Sequence, residues 1–128
     1  MLDTHREEEM FYRQIGKIFY AIAYSDGVVR IEEMVELEEI LREYWKTESN
    51  EQNLLIIFKS FSDHLLEKSD AETCFNEFIA YKDDQPGKFT DSLKTLILKS
   101  AHGIAASFSG KNKSELIFLG KLSINLKS

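Results

Sequence analysis

The chain has 128 residues, of which 43% are hydrophobic and 30% are charged, and its formal net charge is −6. This composition is typical of a single soluble globular domain, residues 1–128, that is long enough to bury a hydrophobic core. The acidic balance argues against a nucleic-acid partner, which needs clustered lysines and arginines, and the single cysteine, Cys74, excludes an internal disulfide.

The N-terminal segment MLDTHREEEMFYRQ is polar and acidic, and it lacks the apolar core of a signal peptide. Unbroken apolar runs, such as LLII at residues 54–57, are too short to span a bilayer. Sparse cysteine is also typical of a reducing compartment. We therefore expect a cytoplasmic protein without membrane insertion.

Apolar residues recur at helical spacing throughout the chain, and no run of five or more residues alternates as a strand does. The pattern predicts an all-α fold, a compact bundle of about six to seven helices. Asp3 or Thr4 is the expected cap of the first helix, and Ser69 or Asp70 that of the fourth. The predicted helices cover about residues 4–24, 31–46, 51–67, 70–82, 89–107 and 113–126.

The first helix carries a broad apolar stripe, which predicts that it is central or that it touches a partner. Tyr12, Tyr20 and Tyr24 widen this stripe. Together with Trp45 they form either part of the core or an interface, a partner groove or a homodimer face, because aromatic residues are enriched at interfaces. The second helix places an apolar face opposite a row of glutamates, and that apolar face consists of Ile31, Met34, Leu37, Leu41 and Tyr44.

The end of the first helix and the start of the second recur 82 residues later in the chain. In both copies a helix ending in Ile-Ala enters a short glycine-containing turn, and a glutamate follows near the start of the next helix. The pattern predicts two related helical hairpins that pack about a pseudo-two-fold axis. The matching residues are Ile22, Ala23, Ser25, Glu33 and Leu37 in the first copy, and Ile104, Ala105, Ser107, Glu115 and Leu119 in the second.

The two glutamates of the repeat differ in their setting. Asn112 and Glu115 have the spacing of a capping box, in which each side chain satisfies a backbone N–H of the other residue. In the first copy Arg30 occupies the cap position, where its side chain cannot accept a hydrogen bond. We therefore expect Glu33 to serve another purpose.

The stretch IAYSDGVVRIEEMVELEEIL resembles the signature of the tellurite-resistance TerB-like family, in which Ile-Ala precedes an Asp-Gly turn, a glutamate and an apolar-spaced helix. IAASFSGKNKSELIFLGKL resembles the second copy of that signature. The resemblance implies a bundle of about seven helices, no catalytic activity, and an acidic surface site where metal binding has been proposed for relatives. Similar domains occur beside co-chaperone J-domains and in stress-associated, membrane-proximal assemblies.

The acidic turn has part of the spacing of a calcium EF-hand loop. If Gly27 is the sixth loop residue, Asp26 is the fifth and Glu33 the twelfth, both ligand positions. Ile22 and Tyr24 then occupy the first and third positions, where their side chains cannot bind calcium. The stretch is therefore not an EF-hand.

A weaker divalent-cation site remains a hypothesis, with Asp26, Glu32 and Glu33 as metal ligands completed by an acid from elsewhere, such as Asp63 or Asp70. The alternative is that the Asp-Gly pair is a helix-terminating turn and that the glutamates favour the positive end of the helix dipole.

Catalytic chemistry has little support in the sequence. His64 and His102 lack metal-ligand spacing, and Cys74 lies in an apolar stripe, so a Cys74–His64 or Cys74–His102 catalytic pair is the least favoured reading. We expect a non-catalytic interaction domain that binds protein partners through an acidic or aromatic surface and has no resident cofactor. The alternative is a metal-binding stress-response protein that uses the Asp26-Gly27 turn.

Overall fold

The computed structural model describes residues 2–25, 27–48, 50–107 and 113–127, with the side chains of all of these except 2–4 and 113–115. The described residues form six α-helices and one 3₁₀ turn, with no strand among them, which confirms the all-α prediction. The helices are α1 (Leu2–Ala23), α2 (Ile31–Tyr44), α3 (Glu51–Glu67), α4 (Ala71–Asp84), α5 (Asp91–Ser107) and α6 (Lys113–Lys127), and the 3₁₀ turn is Pro86–Lys88.

Side-chain caps explain where several helices begin. The Asp70 carboxylate accepts a hydrogen bond of 2.9 Å from the backbone N–H of Thr73, which confirms one of the two caps proposed for α4. The Thr90 hydroxyl accepts from the N–H of Leu93 at 3.2 Å, so α5 begins after Thr90, two residues later than predicted. The predicted caps of the first helix, Asp3 and Thr4, are wrong because α1 already begins at Leu2.

The centre of the bundle is α1, as its broad apolar stripe predicts. It packs against α3, α4, α5 and α6. Five consecutive residues, Ile18 to Ile22, are fully buried, and Tyr20 is one of them. A helix that is surrounded on most sides loses the polar face that a surface helix keeps.

Helices α1 and α3 approach each other closely at Gly16. A Cβ atom added to Gly16 would lie 2.5 Å from the backbone oxygen of Ile57 and 2.7 Å from Cβ of Ser60. The Ser60 hydroxyl crosses the same contact and donates a hydrogen bond of 2.7 Å to the backbone oxygen of Arg13. The absence of a side chain at Gly16 therefore sets the distance between these two helices.

The two predicted hairpins, α1–α2 and α5–α6, pack crosswise. Helix α2 lies on α5, and α6 lies on α1 as well as on α5. Exchange of the two hairpins turns the first of these contacts into the second, but α5 and α6 also pack on each other, whereas α1 and α2 do not do so to a comparable extent. The two hairpins therefore share part of their packing without being fully symmetric. The pairs Ile22 with Ile104, Ala23 with Ala105, and Leu37 with Leu119 are buried in both copies.

The structure corrects the orientation of one residue of α2. Ile31 was expected on the buried face, but it is 82% exposed, whereas Leu37 and Leu41 are buried. At 100° per residue, Ile31 lies about 120° from Leu37 around the helix, beyond the width of the stripe that α5 covers.

In the described parts of the chain, no helix is both long enough and apolar enough to cross a membrane.

Candidate functional site

The predicted acidic turn ends α1. The N–H of Gly27 donates a hydrogen bond of 2.9 Å to the backbone oxygen of Tyr24, and Gly27 has a φ angle of +80°, in the left-handed region that favours glycine. Asp26 lies outside the described residues. Gly27 thus has the conformation expected of a helix-terminating turn.

Glu33 caps the next helix. Its Oε1 accepts a hydrogen bond of 2.7 Å from the backbone N–H of Arg30, and its own N–H donates to the oxygen of Arg30 at 3.0 Å. The side chain is buried, whereas Glu32 beside it is exposed. The expectation that Glu33 serves a purpose other than capping is therefore wrong. The carboxylate of Glu33 satisfies the N–H at the cap position, although the arginine side chain there cannot cap in return.

The acids proposed to complete a metal site already have partners. Asp70 caps α4 through Thr73, and Asp63 lies 3.2 Å from Nζ of Lys59. In the part of the chain that the structure describes, no group of three or more His, Cys, Asp or Glu side chains could hold a metal ion. The divalent-cation site stays a prediction that depends on Asp26, and calorimetric titration with Ca²⁺, Zn²⁺ and Mn²⁺, repeated on Asp26→Ala, tests it.

Cys74 and His64 lie close together between α3 and α4. Sγ of Cys74 is 3.9 Å from Nδ1 of His64, and the same nitrogen is 2.9 Å from Oγ of Ser69. The hydroxyl of Tyr20 donates a hydrogen bond of 2.6 Å to the backbone oxygen of Ser69. This polar cluster ties the central helix α1 to the connection between α3 and α4.

The electrostatics of this cluster do not activate the thiol. Burial raises the pKa of Cys74 to about 11, so the thiolate is scarce at neutral pH. Burial also lowers the pKa of His64, with a smaller contribution from the positive charge of Lys17. Burial likewise raises the pKa of Tyr20. A thiol and an imidazole that both favour their neutral forms are suited to packing rather than to nucleophilic attack.

The four aromatic residues considered as a partner face do not form one. Tyr20 and Trp45 are fully buried, with exposed fractions of 0% and 1%. Tyr24 stacks on Tyr20 with ring centroids 5.1 Å apart. Tyr12 is half-buried at the other end of α1, and it is the member of the set that lines a groove.

This groove, which we call the acidic groove, is an open surface depression of about 490 Å³. Four of its residues come from the start of α1, one from the turn after α2, and three from the connection into α5 and the first turn of that helix. Its lining consists of Glu7, Glu8, Phe11, Tyr12, Glu48, Lys88, Thr90 and Leu93.

The acidic groove combines an aromatic floor with a negative rim. Phe11 is buried and meets Tyr12 edge-to-face, with ring centroids 5.2 Å apart. The rim carries three carboxylates and one ammonium group, and Nζ of Lys88 lies 3.8 Å from an oxygen of Glu7. Glu8 and Glu48 are exposed, so the groove presents negative charge to solvent.

The sequence contained only part of this site. The aromatic pattern groups Tyr12 with Tyr20, Tyr24 and Trp45, two of which are fully buried. Glu48 and Leu93 are separated by more than forty residues along the chain and have no motif in common. Their approach to α1 depends on how α2 and α5 pack, which spacing along the chain does not show.

Comparison of the chain with protein-family models, with curated proteins and with solved structures finds no match.

Proposed function

We propose that the chain is a non-catalytic protein-interaction domain of the TerB-like type, and that the acidic groove binds a partner segment carrying lysine or arginine beside an apolar or aromatic side chain. The observation that carries the proposal is the joint presence of Phe11, Tyr12 and Leu93 on the floor and of Glu8 and Glu48 on the rim. By its TerB-like resemblance the domain serves in stress-associated assemblies, and we place it in the cytoplasm.

The two parts of the acidic groove have different tasks. The floor offers apolar and aromatic surface, whose burial contributes roughly 25 cal/mol for each Å² removed from water. The exposed carboxylates contribute less, about 0.2–1 kcal/mol for each ion pair, and this contribution weakens as salt is added. The rim therefore selects basic segments and speeds their association, while the floor supplies most of the affinity.

The environment of Cys74 and His64, the two side chains considered as a catalytic pair, supports the non-catalytic part of the proposal. Cys74 is buried and its pKa is raised, and His64 is held against Ser69 rather than directed at an open cleft. The positive charge of Lys17 lowers the pKa of Cys74, but burial outweighs it, so the thiol is not activated as cysteine nucleophiles are.

Binding of short synthetic peptides tests the proposal. A peptide such as Lys-Phe-Arg-Trp-Lys, labelled with a fluorophore, is titrated with the full chain, with Glu-Phe-Glu-Trp-Glu as the reference peptide. We expect the basic peptide to bind more tightly than the acidic one, and its affinity to fall as salt is added. Equal affinity for both peptides would contradict the role of the rim.

Charge-reversed variants locate the binding. Glu8→Lys combined with Glu48→Lys is expected to weaken binding of the basic peptide tenfold or more. The matched control is Glu67→Lys combined with Glu72→Lys, which changes the net charge equally at exposed positions outside the acidic groove. If both pairs weaken binding equally, only the net charge attracts the peptide, and the groove is not its site.

A further inference from the structure

The outer side of α6 is apolar and positively charged. Leu116, Ile117 and Ile124 are 59%, 53% and 72% exposed, and Lys121 and Lys127 are exposed among them. At 100° per residue these side chains fall within a sector of about 140° on the helix. We call this sector, which also contains the exposed Gly120, the basic stripe. Large apolar side chains that are exposed together on one face are typical of an interaction surface.

The outer side of α2 is apolar and negatively charged. Ile31 and Val35 are 82% and 56% exposed, and exposed glutamates flank them. These residues also fall within a sector of about 140°. We call it the acidic stripe, and its charged residues are Glu32, Glu38, Glu39, Arg42 and Glu43.

The two stripes complement each other in charge, and both are partly apolar. The acidic stripe has four carboxylates and one guanidinium. Glu38 lies 3.2 Å from Nε of Arg42, and Glu43 lies 3.4 Å from Nζ of Lys46, so Glu32 and Glu39 are the carboxylates that we expect to attract the basic stripe. The basic stripe has two ammonium groups and no carboxylate. Both stripes have the same angular width, and each contains exposed branched aliphatic side chains. Helix pairs of this kind bury their apolar residues centrally and use flanking charges to choose the partner.

We propose that the basic stripe of one molecule docks on the acidic stripe of a second copy of this chain. Within one molecule α2 and α6 each use another face for the core, through Leu37 and Leu41 in α2 and Leu119 and Leu122 in α6. Their outer faces are therefore available at the same time. This contact does not involve the acidic groove, so it is independent of the proposed function.

Sedimentation velocity of the full chain over a range of concentrations tests the contact. We expect the mean mass to rise with concentration, and the association to weaken with added salt. A first variant, Lys121→Glu with Lys127→Glu, and a second, Glu32→Lys with Glu39→Lys, each make the two stripes alike in charge. Each variant alone is expected to have a dissociation constant at least tenfold higher than that of the parent chain.

A mixture of the two variants distinguishes this contact from a loss of fold. The reversed acidic stripe of one variant complements the reversed basic stripe of the other, so the mixture is expected to form a complex that neither variant forms alone. A parent chain that is monomeric at every concentration would overturn the proposal. A mixture that fails to associate would also overturn it, and so would binding of α6 to vesicles containing phosphatidylserine without any self-association.

Discussion

Nε1 of Trp45 donates a hydrogen bond of 2.8 Å to Oγ of Ser100, and both side chains are buried. Trp45 follows the last residue of α2, and Ser100 lies in the middle of α5. The Ser100 hydroxyl in turn donates a hydrogen bond of 2.8 Å to the backbone oxygen of Leu96. The contact therefore fixes the end of α2 on α5 by polar as well as apolar means.

Replacement of Ser100 by alanine is expected to lower the free energy of unfolding by about 1–3 kcal/mol, because the indole N–H of Trp45 stays buried and loses its acceptor. Urea unfolding followed by circular dichroism measures the change. Trp45→Phe removes both the N–H and part of the ring, so its own effect on stability is not specific to the hydrogen bond. The informative comparison is the loss of unfolding free energy caused by Ser100→Ala in the parent chain and in the Trp45→Phe variant. The loss is expected to be smaller in the Trp45→Phe background, and an equal loss in both would contradict the role of the hydrogen bond.

Replacement of Gly16 by alanine is expected to destabilise the fold, by about 1–3 kcal/mol, because the new methyl group meets the backbone oxygen of Ile57 and α1 and α3 must separate. The matched control is Gly120→Ala, since Gly120 lies in a helix with nothing within 4 Å of the added Cβ. Alanine there is expected to stabilise by about 0.5–1 kcal/mol through helix propensity. Thermal unfolding at low protein concentration measures both, and destabilisation of equal size at the two sites would contradict the close approach.

Much of the fold follows from local pattern, as α4 illustrates. The Asp70 cap and the break at KDDQPG identify the two ends of α4 without any tertiary contact. Gly16 is different, because a glycine inside a helix does not indicate which helix packs against it. Its close contact with α3 is visible only in the folded structure. For Trp45 the sequence leaves core and interface open, and its burial and its contact with Ser100 show that it belongs to the core.

The candidate site is less predictable than the fold. The spacing of Glu33 from Gly27 suggests a metal ligand, whereas the structure pairs its carboxylate with the backbone N–H of Arg30. Every residue type except proline provides such an N–H, so the sequence does not reveal this partner. The acidic groove needs Tyr12, Glu48 and Leu93 to meet, and these come from separate parts of the chain. Periodicity identifies which face of each helix is apolar, but the packing of α2 and α5 decides which exposed residues become neighbours.

The pKa of His64 is lowered in the fold, chiefly by burial, so the folded chain binds a proton there less readily than the unfolded chain. Stability from this residue is fully present above the unfolded pKa, about 6.5, and is lost as the pH falls from there towards the lower folded value. Urea unfolding at a series of pH values is expected to show this decline, and His64→Gln is expected to reduce it. The control His102→Gln changes an exposed ring and should keep the slope of the parent chain.

Cys74 is expected to react slowly with iodoacetamide. Because burial raises its pKa from the ordinary 9.0 to about 11, the thiolate fraction at pH 8 falls about a hundredfold, and limited access lowers the rate further. Mass spectrometry of samples taken over time, with and without urea, measures the rate. Rapid labelling of the folded chain would contradict the burial of the thiol and reopen the catalytic reading.

The most direct test of the proposed function is to map the bound basic peptide on the ¹⁵N-labelled chain by chemical-shift perturbation. We predict that the largest shifts fall on backbone amides lining the acidic groove, at Phe11, Tyr12, Glu48 and Leu93, and that they disappear in Glu8→Lys combined with Glu48→Lys. Shifts concentrated on α2, or spread over every acidic surface of the chain, would contradict the assignment of the acidic groove as the partner-binding site.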